Sequence, residues 1–375
     1  MKILSFEVVG LLNREGRVSF NFNDDLNILT GRNGAGKTSV MKLLWFIISG
    51  NILNALKEVP FSRATVVTSE YECTVVRLSR VHCSVELLVE GESFQFDDVD
   101  DENGQPVINA EDEANERLSA IGGSVFLPTF RRIEGGFTMG DSSGRVNRAR
   151  SEIEESLQTL SKRITQGPHV FVSSISTVDI VSLLLRQYSE LTDSYADIQQ
   201  EASQSIIARI KSFKSDNEEV GQIEVANNVL DEIRSTIESM EAQREVVMAP
   251  FDAVRALVAK LFKHAGIKFG PRMSVGDAAG AVNSDELSAG EKQMLSFICY
   301  NAFYKDRVFF IDEPELSLHV DWQRQLFTIL LAQQASNQFI IATHSPFIYS
   351  KFPEKELVIS GDRGDVGSEG GNPWR

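Results

Sequence analysis

The chain has little cysteine, a shortage of positive charge and no long apolar run, and each shortage excludes something. Three cysteines in 375 residues, Cys73, Cys83 and Cys299, are too few and too scattered for a disulfide framework or a thiolate metal site. They read as reduced core thiols. The formal net charge of −16 argues against indiscriminate binding to nucleic acid, which needs basic surface to displace counterions. The best apolar run, Leu43–Ile48, is a fraction of the roughly 20 residues that a membrane-spanning helix needs. The N-terminus, Met1-Lys2-Ile3-Leu4-Ser5-Phe6-Glu7, alternates like a strand and lacks the charged-then-apolar order of a signal peptide, so a cytoplasmic protein is expected. The five histidines, His82, His169, His264, His319 and His344, are dispersed, which argues against a nuclease site of clustered histidines.

What is present is an ordinary globular composition, 42% hydrophobic and 24% charged, with a length that predicts two or three structural units. Residues 1–30 read as strands ("KILSFEVVG", "RVSFNFN", "LNILT") separated by Asn, Asp and Gly turns. "SVMKLLWFIISG" after Lys37 reads as a helix, and residues 64–96 return to β patterns of an antiparallel meander. "DDVDDENGQP" (97–106) is an acidic loop, "AEDEANERLSAI" a helix, and "SVFLPTF" (124–130) a buried strand. From 145 to 265 long, charged, helix-favouring stretches dominate. They are broken by "TQGPHVFVSSIST" and by Gly221, which predicts a helical insertion too interrupted for a rod-like coiled coil. After 270 comes a loop, then "LSAGEKQMLSFICYNAFYKD", "RVFFIDEPE", a helix "DWQRQLFTILLAQQAS" and a strand "QFIIATH". That order predicts a parallel α/β unit. The expected division is 1–144 and 266–360 for the two parts of one head, 145–265 for the insertion, and 361–375 for a loose tail.

Three motifs carry chemistry. "GRNGAGKTS" follows a strand and precedes an apolar helix. In it Gly31, Arg32, Asn33, Gly34, Ala35 and Gly36 form a loop whose backbone N–H groups can turn inward around a phosphate. Lys37 supplies a point charge for phosphate oxygens. Thr38 offers a hydroxyl to Mg²⁺, and Ser39 continues the first helical turn. "VFFIDEPE" ends a buried strand in two carboxylates. Asp312 would reach Mg²⁺ through water, and Glu313 would polarise a water attacking a γ-phosphate. "FIIATHSPF" puts His344 just past another apolar strand, 32 residues after Asp312, where it can meet developing negative charge.

"LSAGEKQMLSF" (287–297) looks like a second phosphate reader. A helix beginning near Glu291 points the positive end of its dipole, with the Ser288 hydroxyl and the N–H groups around Gly290, at an anion. One loop already grips the nucleotide. A second reader makes sense if it serves a nucleotide held by another copy, so that two chains trap two ATPs between them and hydrolysis loosens the pair.

These motifs, in this order, resemble the ABC-type ATPases: GRNGAGKTS, LSAGEKQ, FFIDEPE and the ATH switch. The gap of about 250 residues between Lys37 and Leu287 resembles the chromosome-maintenance and DNA-repair branch, with the OLD-family ATPases, rather than transporter ATPases. "DEPELSLHVDWQ" is most similar to the OLD-like branch, where Ser317, Leu318 and His319 correspond to a loop that crosses the dimer interface. "FLPTFRRIEG" (126–135) is similar to ATPase subunits of anti-phage systems such as PARIS and Septu. The resemblance covers about 1–140 and 280–350. It implies an α/β P-loop ATPase head of mixed or parallel sheet with an N-terminal antiparallel β subdomain, bound ATP and Mg²⁺, and a homodimer. The family usually carries a glutamine at the metal, in a loop between the P-loop and the insertion. No glutamine here is assigned to it; that loop offers Arg131, Arg132 and Glu134, which face either the nucleotide or a surface salt-bridge cluster.

Three functions follow as expectations. The first is an ATPase and sensor subunit of an anti-phage complex. A separate nuclease or toxin effector docks on the insertion, because OLD enzymes carry their nuclease after the ATPase and only about 30 residues follow His344 here. In that reading nucleic acid is met indirectly and membrane is not involved. The second is a DNA-repair clamp resembling RecF, with Arg145, Arg148, Arg150, Lys211 and Lys214 as its modest basic cluster; a solvated helix face explains those residues equally well. The third is an ATP-gated scaffold with little turnover.

Overall fold

The computed structural model describes residues 1–100, 106–129, 132–133, 156–157, 159–175, 177–215, 222–261, 288–333 and 335–359. Arg131, Glu134, Arg145, Arg148, Arg150, His264 and the expected tail lie outside them. The chain divides into two units, one of Met1–Ser176, Ser288–Phe297 and Tyr304–Arg375, the other of Thr177–Leu287 and Ile298–Phe303.

The first unit holds two six-stranded sheets. One is antiparallel and contains β1 (Ile3–Val9), β2 (Arg17–Asn21), β4 (Arg63–Thr68), β5 (Tyr71–Arg77), β6 (Cys83–Val89) and β7 (Glu92–Asp97), in the order β2-β1-β4-β5-β6-β7. Alternation buries one face: Phe6, Val8, Ala64, Val66, Cys73, Val75, Val85 and Leu87. A register shift between Ile3 and Ser5 lets Ile3 join that face although it is an odd number of residues from Phe6. Two short strands, β8 (Val99–Asp100) and β9 (Pro106–Ile108), pair beyond it and lead into α3 (Ala110–Leu118).

The other sheet contains β3 (Leu26–Thr30), β10 (Ser124–Leu127), β12 (His169–Phe171), β14 (Val308–Asp312), β15 (Gln338–Ala342) and β16 (Glu356–Val358). Its order is β12-β10-β14-β15-β3-β16, and every pair is parallel. A small parallel pair, β11 (Arg132–Ile133) with β13 (Ser174–Ile175), stands apart. Strands β3, β10, β14 and β15 are buried at every residue, which is why they read as unbroken rather than alternating runs. The expected α/β class, with one antiparallel and one parallel sheet, is what forms.

Helix α1 (Lys37–Ile48) is packed against both sheets, and the short α2 (Ile52–Glu58) follows it. Val40, Met41 and Leu43–Ile48 of α1 are buried, so its C-terminal half is apolar on nearly every side, with Lys42 left half-exposed and paired to Glu58 of α2. Trp45 is the largest anchor of α1. The indole ring lies 5.2 Å from Phe126 of β10 and 5.5 Å from Phe171 of β12, centroid to centroid. Its Nε1–H donates to Ser124 Oγ at 3.0 Å. Ser124 Oγ in turn lies 2.8 Å from His169 Nδ1, and His169 Nε2 lies 3.2 Å from the Ile121 carbonyl. The neutral Nε2–H tautomer satisfies every member of this chain. Burial pushes the His169 imidazole down to about 4, with Arg307 adding repulsion against the bond to Ile121.

In the second unit, α4 (Thr177–Ser215, 39 residues) and α5 (Gln222–Leu261, 40 residues) form an antiparallel pair about 60 Å long. Tyr188 meets Phe251, Arg244 lies over Tyr195, and Arg209 pairs with Glu232. Away from the Phe251 end, half-buried positions recur every three or four residues: Leu191, Tyr195, Ile198, Ala202, Ile206 and Arg209 on α4, and Val229, Ile233, Thr236 and Met240 on α5. This corrects the expectation of an interrupted insertion. "TQGPHVFVSSIST" supplies β12 and β13 before α4 begins, so it breaks nothing within the pair. The seam was hidden because Ala, Arg and Thr occupy several of its positions. No described helix is long and apolar enough to cross a membrane.

Candidate functional site

Strand β3 delivers the chain at Thr30 into the Gly31–Gly36 loop, which ends where α1 begins at Lys37. Gly34 (φ 77°) and Gly36 (φ 102°) take left-handed conformations that L-residues avoid, and a Cβ at Gly36 would also press on Leu12 at 3.3 Å. Arg32, Asn33 and Gly34 face solvent, Ala35 is buried, and Ser39 is half-buried one residue past Thr38. Arg14, from the β1–β2 connection, donates to the Gly34 carbonyl at 2.8 Å and the Ala35 carbonyl at 3.5 Å, bracing the loop from outside.

Three further strands bring side chains to the same edge of the parallel sheet. Because β14 and β15 are neighbours, with Asp312 opposite Ala342, the residues just past each strand end converge. Asp312 is buried and accepts from Thr38 Oγ1 at 2.9 Å; it also accepts from Thr129 Oγ1. Lys37 Nζ donates to the Gly31 carbonyl at 3.1 Å and lies 2.6 Å from His344 Nε2. Glu313 Oε1 is 3.5 Å from the same Nε2. Lys37, Thr38, Asp312, Glu313 and His344, drawn from three motifs, therefore form one cluster.

The electrostatics follow from burial and crowding. Burial lowers the Lys37 ammonium, against the pull of Glu313, Asp312 and Glu315. Burial also lowers His344, and adjacent Lys37 lowers it further, so the ring is neutral and accepts at Nε2. Glu313 is pushed up to about 8, first by burial, then by Glu315 and Asp312, with Lys37 opposing. Its backbone is left-handed (φ 50°), a conformation that costs a non-glycine residue about 1 kcal/mol or more. Glu315 Oε1 accepts from Thr343 Oγ1 and from the His344 N–H, while Oε2 is buried with no fixed donor. A proton shared with Glu313 would satisfy it. Thr38, Asp312 and Thr129 are all hard oxygen donors, a set that suits Mg²⁺.

The 288–291 segment makes a separate cluster at the start of α6 (Ala289–Phe303). Ser288 is exposed, its N–H and Oγ donate to Glu291 Oε2 at 2.8 and 2.7 Å, and the Glu291 N–H returns to Ser288 Oγ at 3.3 Å. This is a reciprocal cap. The helix starts at Ala289, two residues before the expected point. Gly290 lies so close to the Ser317 carbonyl that a Cβ there would run into the oxygen. Ser317 is itself left-handed (φ 70°), Leu318 is buried, and exposed His319 caps α7 (Val320–Ala332) through its Nδ1.

Sequence reasoning missed Thr129, Arg14 and Glu315. Thr129 had a readable signal: it follows the apolar strand β10, which lies beside the strand that ends in Asp312. Arg14 had none, because nothing local says that its hairpin leans on the P-loop.

A family described as "AAA domain" matches residues 3–263, and one described as "AAA domain, putative AbiEii toxin, Type IV TA system" matches 178–350. Endonuclease GajA of Bacillus cereus (strain VD045) is 25% identical over 166 residues, 42% of this chain and 27% of its own length. The chain thus spans about a quarter of that relative. Among solved structures, the Smc head domain with an extended coiled coil from Pyrococcus furiosus, bound to the C-terminal domain of ScpA, is similar over 93% of this chain and 91% of its own, with TM-score 0.36 and 14% identity. The Smc head domain with a coiled coil and joint from Pyrococcus yayanosii covers 93% of each chain, with TM-score 0.38 and 13% identity.

Proposed function

This chain belongs to the AAA domain family of ATPases, and from that premise we propose that it binds and hydrolyses ATP at the Lys37–His344 cluster, as an ABC-type ATPase working in pairs. One observation carries the reading. Lys37 and His344, separated by 307 positions, meet at 2.6 Å beside the Asp312 and Glu313 carboxylates. A basic amine and an imidazole nitrogen facing one point could both donate to an anionic γ-phosphate, the imidazole through its Nε2–H tautomer once the amine turns to the phosphate.

The geometry supports the following roles. The Gly31–Ser39 loop wraps the phosphates with backbone N–H groups, and Lys37 holds the terminal one. Thr38 and Asp312 would hold Mg²⁺, which when bound neutralises phosphate charge. Thr129 fixes the orientation of the Asp312 carboxylate. Glu313, with its raised proton affinity, polarises the attacking water, and His344 stabilises charge developing on the transferred group. The Ser288–Gly290 segment, with Ser288 exposed at the positive end of α6, serves the nucleotide of a second copy across a head-to-tail interface.

The cellular role proposed is that of a sensor or regulatory ATPase in anti-phage defence, with a separate nuclease or toxin effector. The family description that names a putative AbiEii toxin of a type IV toxin–antitoxin system supports this reading, together with the resemblance of "FLPTFRRIEG" to ATPase subunits of anti-phage systems; the relative named as an endonuclease makes nuclease chemistry the property to test. The helix pair is the proposed effector surface, because Ile207 and Ile210 on α4 and Leu230 and Ile237 on α5 are all more than 40% exposed outside its seam.

The test uses the purified full chain. Expected results are ATP turnover that Glu313→Gln suppresses, and a mass that doubles when Glu313→Gln is given ATP and Mg²⁺. Absence of turnover, or an unchanged mass, would refute the paired ATPase. Metal-dependent cleavage of DNA or RNA by the pure chain would refute the division of labour.

A further inference from the structure

The chemistry above uses Glu315 only as a neighbour that raises the proton affinity of Glu313, yet its carboxylate also ties two parts of the site together. The β14–β15 ladder ends where the Glu313 N–H meets the Ala342 carbonyl at 2.9 Å. Beyond that point side chains take over. Glu315 Oε1 accepts from Thr343 Oγ1 at 2.8 Å and from the His344 backbone N–H at 2.7 Å. Thr343 Oγ1 then accepts from the Ser345 N–H at 2.9 Å, and Ser345 Oγ donates to Gln323 Oε1 at 2.6 Å. Gln323 Nε2 closes the circuit on the Leu318 carbonyl at 2.9 Å. Thr343 and Ser345 are buried, so the bond between them is formed away from competing water, whereas the His344 N–H bond lies at the exposed edge of the network.

On the other side, the same loop is held by α6. Gln293 is fully buried and its Nε2 donates to the Pro314 carbonyl at 2.9 Å, one turn along from the Gly290–Ser317 contact. The loop from 313 to 319 therefore has a fixed seat, and Glu315 transmits that seat to the turn carrying His344. A bond from a neutral N–H to a carboxylate is among the stronger ones available, and removing its acceptor leaves the donor unsatisfied.

We propose that Glu315 is a positioning residue: it fixes the Thr343–His344 backbone to the 313–319 loop, and so keeps the His344 imidazole beside Lys37 and Glu313. The inference rests on the ATPase reading for its kinetic consequence and on the hydrogen bonds alone for its structural one.

The experiment compares Glu315→Ala, Glu315→Gln and the milder Thr343→Val in the full chain. It reads kcat and KM for ATP, together with hydrogen exchange of peptides covering residues 340–348. Glu315→Ala should lower kcat about tenfold or more while KM changes less than about twofold, because geometry and not binding is lost. Exchange over 340–348 should quicken. Glu315→Gln keeps an acceptor oxygen and should recover most of kcat. Thr343→Val removes one donor and should fall between them, which keeps the test alive if Glu315→Ala does not fold. Wild-type turnover with an unchanged kcat in Glu315→Ala, or a Gln variant as slow as the Ala variant, would overturn the positioning role. Quickened exchange with no turnover by the wild-type chain would instead sink the ATPase reading and leave the tie standing.

Discussion

Lowering the pH from 7 to 4.5 should loosen the seat of the P-loop helix through one residue, His169. The imidazole is fully buried between Ser124 and Ile121, at the end of the chain of bonds that anchors Trp45 of α1. Its proton affinity is depressed from 6.5 to about 4 by burial. A histidine depressed in the fold takes up its proton more readily when unfolded. Its contribution is therefore held above pH 6.5 and lost as pH falls toward 4. At about 1.4 kcal/mol per pH unit, the loss between pH 7 and 4.5 is about 2.5 kcal/mol. Urea unfolding followed by intrinsic fluorescence, at both pH values, measures it. His169→Gln keeps a donor for Ile121 and an acceptor for Ser124 but does not titrate, so its pH-dependent loss should be smaller by that amount. Other titrating groups are common to both proteins and cancel in the comparison. If wild type and variant lose stability in parallel from pH 7 to 4.5, the assignment of a neutral, depressed His169 is wrong.

Other outcomes follow from the same structure. Glu313→Gln should cut turnover by about a hundredfold or more while leaving ATP affinity intact, measured by steady-state kinetics and calorimetric titration. The same variant should melt higher than wild type at pH 8 without nucleotide. A carboxyl raised from 4.5 to about 8 contributes stability at low pH that is lost as pH rises through that window, and glutamine removes the loss. Lys37→Met should abolish the rise in melting temperature that ATP gives the wild type, yet not lower the melting temperature of the nucleotide-free chain, because burial already disfavours the ammonium. Gly290→Ala forces a methyl against the Ser317 carbonyl and should cost about 1–3 kcal/mol in thermal unfolding.

Lys37, Thr38, Asp312, Glu313 and His344, which meet at the site, are residues that local patterns advertised. An apolar run ending in Asp312 and Glu313, another ending at His344, and a glycine loop before α1 could be read because a buried parallel strand must be continuously apolar and must present its polar ends at one edge. The α/β class was legible for the same reason. The coiled pair was not. Ala202, Arg209 and Thr236 sit in its seam, and a seam of two helices is only half-buried, so polar residues are tolerated there and the heptad fades.

The sequence by itself determined which side chains stand at strand ends and which loop can curl around phosphate, since both depend on residues adjacent in the chain. Only the tertiary structure decided which strand ends are neighbours, and with that the bonds of Thr129 to Asp312, Arg14 to the P-loop and Glu315 to the His344 turn. Those bonds join residues up to 183 positions apart. Each depends on strand order in a sheet, and strand order is fixed by the packing of whole elements rather than by any local run of residues.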